Sequence, residues 1–473
     1  MTNFTSNVLS KPILLTRTEF SNLKKQIACR DWGILLESAD AGHIDSRWSI
    51  YSAQPIATLQ TFNGSSKISC GNKCRELHSD PFAALQALRN DLFDTLRCSS
   101  ELPFTGGALG SIAYELGYQF EKIKTADKPD GLDLPEMAIG FYDWALIYDN
   151  QQAQFHLLIH KTKNNQQDIN FLWEKRYAWI SEQSKTEQTA QLFRLNSKWS
   201  SNMDKQTYTD NFNKIQNYIL SGDCYQVNLA QRFQGAYQGD EYQAYQALLA
   251  DNRPPFAAFL RLPGQAVLSL SPERLLKLRD GLVESKPIKG TSRRYTNRQQ
   301  DTQSRQELIA SQKDRAENLM IVDLLRNDIG RVCQPGSVSV PKLFAVESFP
   351  AVHHLVSTVL GKLATGYSAE DLLRACFPGG SITGAPKIRS MEIIAELEPH
   401  SRQVYCGAIG YINGDGQMDM NITIRTLVCH KQQIYCWAGG GLVADSDVEQ
   451  EYQECFDKVS KILPCLETLN KDQ

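Results

Sequence analysis

Lys289, in Glu284-Ser-Lys-Pro-Ile-Lys-Gly-Thr-Ser-Arg-Arg294, is the residue whose setting most suggests covalent chemistry. Pro287 fixes one backbone dihedral, and Gly290 lets the chain turn immediately after the lysine. In an extended segment Ser285, Pro287 and Lys289 share one face, while Glu284, Lys286 and Ile288 share the other. Lys289 is then presented alone at the end of a short strand, a place from which a side chain reaches a ligand. An amine is a nucleophile only without its proton, so this use requires burial or neighbouring cations that lower its pKa. Taken alone, the segment reads first as a solvated lysine beside a turn.

Other charged residues stand at informative spacings. Glu451, Glu454 and Lys458 occupy one face of a helix expected at about 447–463, a pattern that a solvated face also produces. Ahead of it, Ala438-Gly-Gly-Gly-Leu-Val-Ala-Asp-Ser446 is expected to be a loop whose backbone N–H groups approach an anion closely. Phe377-Pro-Gly-Gly-Ser-Ile-Thr-Gly-Ala-Pro-Lys387 reads as a second such loop. It is not a phosphate-binding P-loop, because Ala385 follows Gly384, and no G-x-G-x-x-G follows a strand. Nucleotides are therefore disfavoured and a smaller anion, such as a carboxylate, is expected; a plain turn is the alternative for each loop. Glu317 lies among Leu319, Met320 and Val322, where a carboxylate needs either an arginine partner or a metal. The metal reading pairs Glu317 with Glu454 across two helices around magnesium, which takes one or two protein carboxylates plus water and an anionic substrate.

The elements that must position these groups follow from periodicity. Strands are expected at 32–38, 47–52, 56–62 and 141–148, and a helix at 81–98. Polar stretches at 160–169 and 181–192 suggest surface loops or a lobe boundary, dividing the chain into 1–195 and 196–473. Beyond it come a helix at 204–220, strands at 224–233, 266–270 and 274–278, and one long helix at 301–328. Shorter helices fit 368–376 and 386–397, and strands fit 404–412, 418–428 and 433–438. The fold class is α+β, with strands in both halves.

The chain has 473 residues, 42% hydrophobic and 22% charged, which suits a soluble globular protein. Lys+Arg 50 against Asp+Glu 53 gives a net charge of -3, so nucleic acid is not an expected partner. No run of 18 apolar residues predicts a membrane span, and the N-terminus lacks the pattern of a signal peptide. Of twelve cysteines, Cys70 and Cys74 are the closest pair, and no second pair follows at zinc spacing. Reduced thiols in a cytoplasmic protein are expected.

Ser271-Pro-Glu-Arg274, Pro287-Ile-Lys-Gly-Thr291, Ala316-Glu-Asn-Leu-Met320, Leu324-Leu-Arg-Asn-Asp328, Gly380-Ser-Ile-Thr-Gly-Ala-Pro-Lys387 and the Gly439–Gly441 run resemble the chorismate-utilising enzyme family. The resemblance is dense over about 205–463 and weaker from about 30 to 150. It implies a large two-lobed α/β sandwich of antiparallel sheets with outer helices. It also implies catalytic roles for Lys289, Glu273 and His354, the last near the departing C4 hydroxyl of chorismate. Glu317, Glu454 and nearby Glu451 are the implied Mg2+ ligands. Arg425 and Tyr411 would fix the enolpyruvyl carboxylate, while Thr383, Gly440, Gly441, Lys458 and Gln226 complete the binding. Gln226 stands where water-adding members carry a lysine that activates water. Members forming anthranilate, isochorismate or salicylate have alanine at the position of Lys289, whereas lysine marks the branch that aminates chorismate at C4.

A separate glutamine amidotransferase subunit is implied as the ammonia source, since nothing in the chain resembles a glutaminase. Leu35-Leu-Glu-Ser38 resembles a tryptophan-holding segment, which Tyr225, Pro255 and Phe256 would complete; apolar strand packing is the equal alternative. The rival readings are an anthranilate-forming subunit and a catalytically silent tryptophan-binding subunit.

Overall fold

The computed structural model describes residues 7–39, 45–95, 100–123, 128, 132–188, 191–348 and 352–469. Two large antiparallel sheets form the frame. The first runs Val8–Ile13, Gln154–His160, Trp144–Asp149, Trp48–Ser52, Gly33–Glu37, Phe256–Leu262, Gln265–Ser271, Thr426–His430, Gln433–Leu442, Gln226–Gln238 and Arg194–Leu195. The second runs Ile288–Arg293, Val352–Lys362, Leu282–Ser285, Arg274–Arg279, Met418–Ile422, Ala408–Asn413, Gly107–Ile112, Met137–Tyr142, Ala57–Phe62, Ser65–Cys70 and Lys73–Leu77. Buried residues of both, such as Leu260, Leu268 and Leu427 with Leu109, Ile139 and Leu276, belong to one core cluster. The expected α+β sandwich of antiparallel sheets is therefore observed. Both sheets draw strands from 1–195 and from 196–473.

The chain passes between the sheets at points that period-two patterning does not reveal. The stretch expected as one strand at 418–428 is two: Met418–Ile422 lies in the second sheet and Thr426–His430 in the first. Between them Arg425 adopts a left-handed backbone, φ 51°, which turns the chain out of one ladder into the other. The 141–148 stretch likewise splits at Asp143 into Met137–Tyr142 and Trp144–Asp149, in different sheets. Pro272-Glu273 links Gln265–Ser271 to Arg274–Arg279, and Pro272 has no N–H to extend a ladder. The Pro272-Glu273 and Arg425 crossings lie side by side: Ile422 N donates to Glu273 O at 3.0 Å and Leu270 N to Arg425 O at 3.0 Å.

The helices show two similar breaks. The one expected over 301–328 is Arg298–Ala310 followed by Gln312–Gly330, with Ser311 extended between them (φ -61°, ψ 111°). Ser311 closes the first helix and caps the second, its hydroxyl accepting from Asp314 N at 3.3 Å. Ser311→Ala is expected to cost about 1 kcal/mol of stability, read as a shift in the urea midpoint without a change in slope. The last helix ends at Val459 rather than about 463, and Leu463–Thr468 forms a separate turn of helix. Pro81–Leu92 is shorter than the expected 81–98, of which 96–98 lie outside the described residues. No described helix is long and apolar enough to cross a membrane. The described cysteines are free thiols.

Candidate active site

A cavity of about 570 Å3 opens where the two crossings meet the end of the Gln433–Leu442 strand and the Gln312–Gly330 and Val448–Val459 helices. Lys289 enters it from a strand rather than from a strand end. Ile288 pairs with Val356 and Thr291 with His354, so the register slips at Lys289–Gly290. This bulge re-aims the lysine. Gly290 has φ +84°, and a Cβ there would lie 2.9 Å from the Asp314 side chain, so the turn requires glycine.

Lys289 Nζ donates to Ser381 O at 3.2 Å, the carbonyl that also accepts from Asn228 Nδ2 at 3.3 Å. Burial pulls the Lys289 pKa below that of an ordinary lysine; Lys458 acts in the same direction, against the attraction of Glu317, Glu273 and Glu454. Glu273, 4% exposed, accepts weakly from Ile288 N at 3.4 Å. Burial raises its carboxyl above the usual range despite neighbouring Lys289. Burial thus shifts both groups towards their uncharged forms, because desolvation outweighs their mutual attraction in each. His354, also 4% exposed, completes this wall with Nδ1 2.8 Å from Thr291 Oγ1.

Arg425 reaches the cavity from its crossing, and among the described residues its guanidinium makes no hydrogen bond or ion pair. Such a group suits the carboxylate of a ligand. The tyrosine facing the same cavity is Tyr405, stacked on Trp437 at 6.2 Å and 8°, and not Tyr411. Tyr411 stands in the Ala408–Asn413 strand, packs edge-on against Phe104 at 5.7 Å and lines a different cavity. The two tyrosines are six positions apart, so strand alternation assigns them the same side. Left-handed Cys406 (φ 62°) breaks that parity, because the strand begins only at Ala408.

On the opposite wall Gly439–Gly441 lie inside a strand, not in the expected loop. Gly440 faces Leu229 and Gly441 faces Asn228 in the ladder. A Cβ on Gly440 would stand 3.2 Å from Glu451 Oε2 and 3.3 Å from Glu454 Oε1, so the missing side chain makes room for two carboxylates. Glu451 accepts from Ser446 Oγ at 2.7 Å and lies 3.5 Å from Lys313 Nζ. Glu454 is 2.6 Å from Lys458 Nζ, which also donates to Gly439 O at 2.6 Å. Burial pushes the Glu454 carboxyl up, but Lys458 and other cations more than offset it; burial raises Glu317 against Lys289 and Lys313. Among the described residues no three His, Cys, Asp or Glu side chains form a closed metal cage. The hard oxygen donors fit magnesium nonetheless, since it takes one or two protein carboxylates and fills its shell with water and ligand.

Two expected binding residues sit behind the wall. Thr383 is fully buried and its hydroxyl donates to Gly379 O at 3.1 Å. Gln226 is fully buried against Gly441, where a Cβ would come within 2.2 Å of its Nε2. The second glycine run is also packed rather than open: a Cβ on Gly380 would lie 2.4 Å from Leu324, and one on Gly384 2.1 Å from Gln226 O. Lys313, Asn228 and Trp437 face the cavity without having been singled out in the sequence. Lys313 had one legible signal, its place four residues before Glu317.

A second cavity of about 270 Å3 brings Ser38, Pro255 and Phe256 together between the sheets. Ser38 Oγ bridges Trp48 O (2.9 Å) and Pro255 O (3.0 Å). Tyr225 does not join them. It is 69% exposed next to the Gly384–Ala385 strand, with its N–H bonded to Ala385 O at 2.7 Å, while Cys224 and Gln226 on either side turn inward. Asp45 on this cavity's wall pairs with Arg274 at 2.7 Å and Lys286 at 3.1 Å.

Residues 33–464 match the family described as chorismate binding enzyme. The chain is 51% identical over 438 residues to aminodeoxychorismate synthase component 1 of Escherichia coli (strain K12), covering 92% of this chain and 93% of that one. It is 50% identical over 436 residues to the protein of the same name from Salmonella typhimurium, with 92% and 93% covered. The crystal structure of anthranilate synthase component I from Streptococcus pneumoniae superposes with a TM-score of 0.79 at 30% identity, over 89% of this chain and 93% of that one.

Proposed function

The chain belongs to the chorismate binding enzyme family, and we propose that it converts chorismate and ammonia to 4-amino-4-deoxychorismate through a covalent adduct on Lys289, towards 4-aminobenzoate and folate. The observation that carries this reading is Lys289 itself: a cavity-facing lysine, held towards its neutral form by burial, where the resemblance puts alanine in members of other chemistries. The name of the 50% identical relatives supports it.

The residues divide the work as follows. Glu273 gives its proton to the C4 hydroxyl, which leaves as water instead of hydroxide. Lys289 Nζ bonds to C2 as the two ring double bonds shift towards C4 and the C4–O bond breaks. Ammonia then bonds to C4, the double bonds return, and the C2–N bond to Lys289 breaks, restoring the amine. Splitting the displacement in two places the new amino group at C4 without adding water. His354 stands by the departing oxygen, and Arg425 with Tyr405 receives the enolpyruvyl carboxylate. Mg2+, held by Glu317 and Glu454 with Glu451 beside them, would neutralise the ring carboxylate. Lys458 adds positive charge, and the backbone at Gly440 and Gly441 leaves space for that end of the substrate.

Ammonia would come from a separate glutamine amidotransferase subunit, a reading supported by the component 1 designation of the relatives. The second cavity suits tryptophan: Trp48 and Phe256 offer apolar faces, Ser38 a hydroxyl, and the wall carries Asp45 and Asp419, which Arg274 pairs with, and Arg47, which Asp149 pairs with.

The test supplies the purified chain with chorismate, Mg2+ and ammonium and identifies the product by mass. Aminodeoxychorismate is expected. Anthranilate with pyruvate would replace this reading with the anthranilate-forming one, and no turnover would favour a silent tryptophan-binding subunit.

A further inference from the structure

We propose that Lys313 is a positioning residue that holds the place of the divalent cation's charge beside Glu451, so that the cation binds by displacing its ammonium. This rests on the magnesium reading of Glu317, Glu451 and Glu454. Glu451 is the most enclosed of the three carboxylates, with a side chain only 4% exposed. An ionised carboxylate there needs a cation or several donors. It has one hydroxyl donor, Ser446 Oγ at 2.7 Å, and one cation, Lys313 Nζ at 3.5 Å. The Gln312–Gly330 helix carries Lys313 one turn before Glu317, so a single ammonium stands between the carboxylates of two helices.

The two lysines at this end of the cavity differ in how firmly they are held. Lys458 is tied twice, to Glu454 Oε1 and to Gly439 O, both at 2.6 Å. Lys313 has only the longer contact to Glu451 among the described residues, and its side chain is 53% exposed. It can swing into solvent at the cost of one partly screened ion pair, whereas Lys458 would also surrender a hydrogen bond. Lys313 is therefore the group that yields. Until it does, it neutralises Glu451 and opposes an incoming dication by like-charge repulsion.

Removing the competing ammonium should tighten cation binding by about fivefold, the equilibrium worth of an exposed ion pair. The probe is Mn2+, with free ion counted by electron paramagnetic resonance in the full-length chain without chorismate, and only the fraction displaced by Mg2+ scored. Lys313→Met and Lys313→Gln are both expected to tighten binding, while Lys313→Arg, which keeps the charge, stays near wild type. If wild type binds Mn2+ and both neutral variants leave affinity unchanged or weaken it, the inference fails alone. Tightening by Lys313→Arg as large as by Lys313→Met would also overturn it, since charge would not be the cause. If no variant and no wild type binds Mg2+-displaceable Mn2+, the magnesium reading falls and takes the inference with it. Glu454→Gln checks that reading separately, because it should lose binding whatever stands at 313.

Discussion

Lys289→Ala is expected to abolish the covalent adduct and to lower ammonia-dependent amination on the order of 10^3-fold or more, as loss of a nucleophile does elsewhere. Undiminished product formation by this variant would end the nucleophile assignment. The same site predicts a gain in stability from Lys289→Met. The lysine's folded pKa lies below its ordinary value because of burial, whereas in the unfolded chain it titrates near about 10.4. Between the lowered folded pKa and the unfolded one, the unfolded state thus binds more protons at this position, and folding must either release one or bury a charge. Stability from this group therefore rises with pH from the lowered folded pKa towards the unfolded one, and its cost is fully present below both. Methionine removes that cost, so the urea midpoint of Lys289→Met should exceed that of wild type near pH 7, with the difference shrinking as pH is raised. A lower midpoint at pH 7 would show that the amine is held charged by Glu317 and Glu273.

Glu273→Gln is expected to lower turnover about 10^2- to 10^4-fold, the usual worth of a positioned acid, while leaving chorismate binding nearly unchanged. Without a proton donor the C4 oxygen would have to leave as hydroxide, so the Lys289 adduct should not accumulate in this variant either. The sign of the pH effect again follows from burial. The Glu273 carboxyl is raised in the fold, so it keeps its proton to a higher pH than in the unfolded chain. Its contribution to stability is fully present below the unfolded carboxyl's pKa and is lost as pH rises through the raised folded value. Wild-type turnover should fall along the same limb as the acid loses its proton, and glutamine, which cannot titrate, should remove that limb. Because Glu273 and Lys289 sense one another, the measured profile belongs to the pair. A Glu273→Gln profile with an unchanged alkaline limb would assign the acid elsewhere.

How much of this was legible differs from residue to residue. Lys205–Leu220, Ala369–Cys376 and Lys387–Leu397 were readable because apolar residues recur at helical spacing between evident boundaries. Lys289, Glu273, His354, Arg425, Glu317, Glu451 and Glu454 were all singled out, and the structure gathers them in one cavity. Tyr411 and Tyr225 were placed with the wrong neighbours, because only a left-handed residue or a strand edge separates their environment from that of a nearby aromatic. The glycine runs by sequence alone suit either anion loops or plain turns. They are packed backbone, and their effect is to admit Glu451, Glu454, Leu324 and Gln226 to spaces a Cβ would fill.

The amino-acid sequence by itself determined the α+β class, most elements and the inventory of reactive groups, since residue type and local spacing are written directly in it. Only the tertiary structure decided where the chain crosses between sheets, which tyrosine faces Arg425, and that burial pulls the Lys289 pKa down. Crossing at Glu273 and Arg425 depends on single backbone dihedrals and on which ladder receives the next strand. The lysine's charge depends on water being excluded by segments more than a hundred residues away in sequence, such as Gly439 and Lys458.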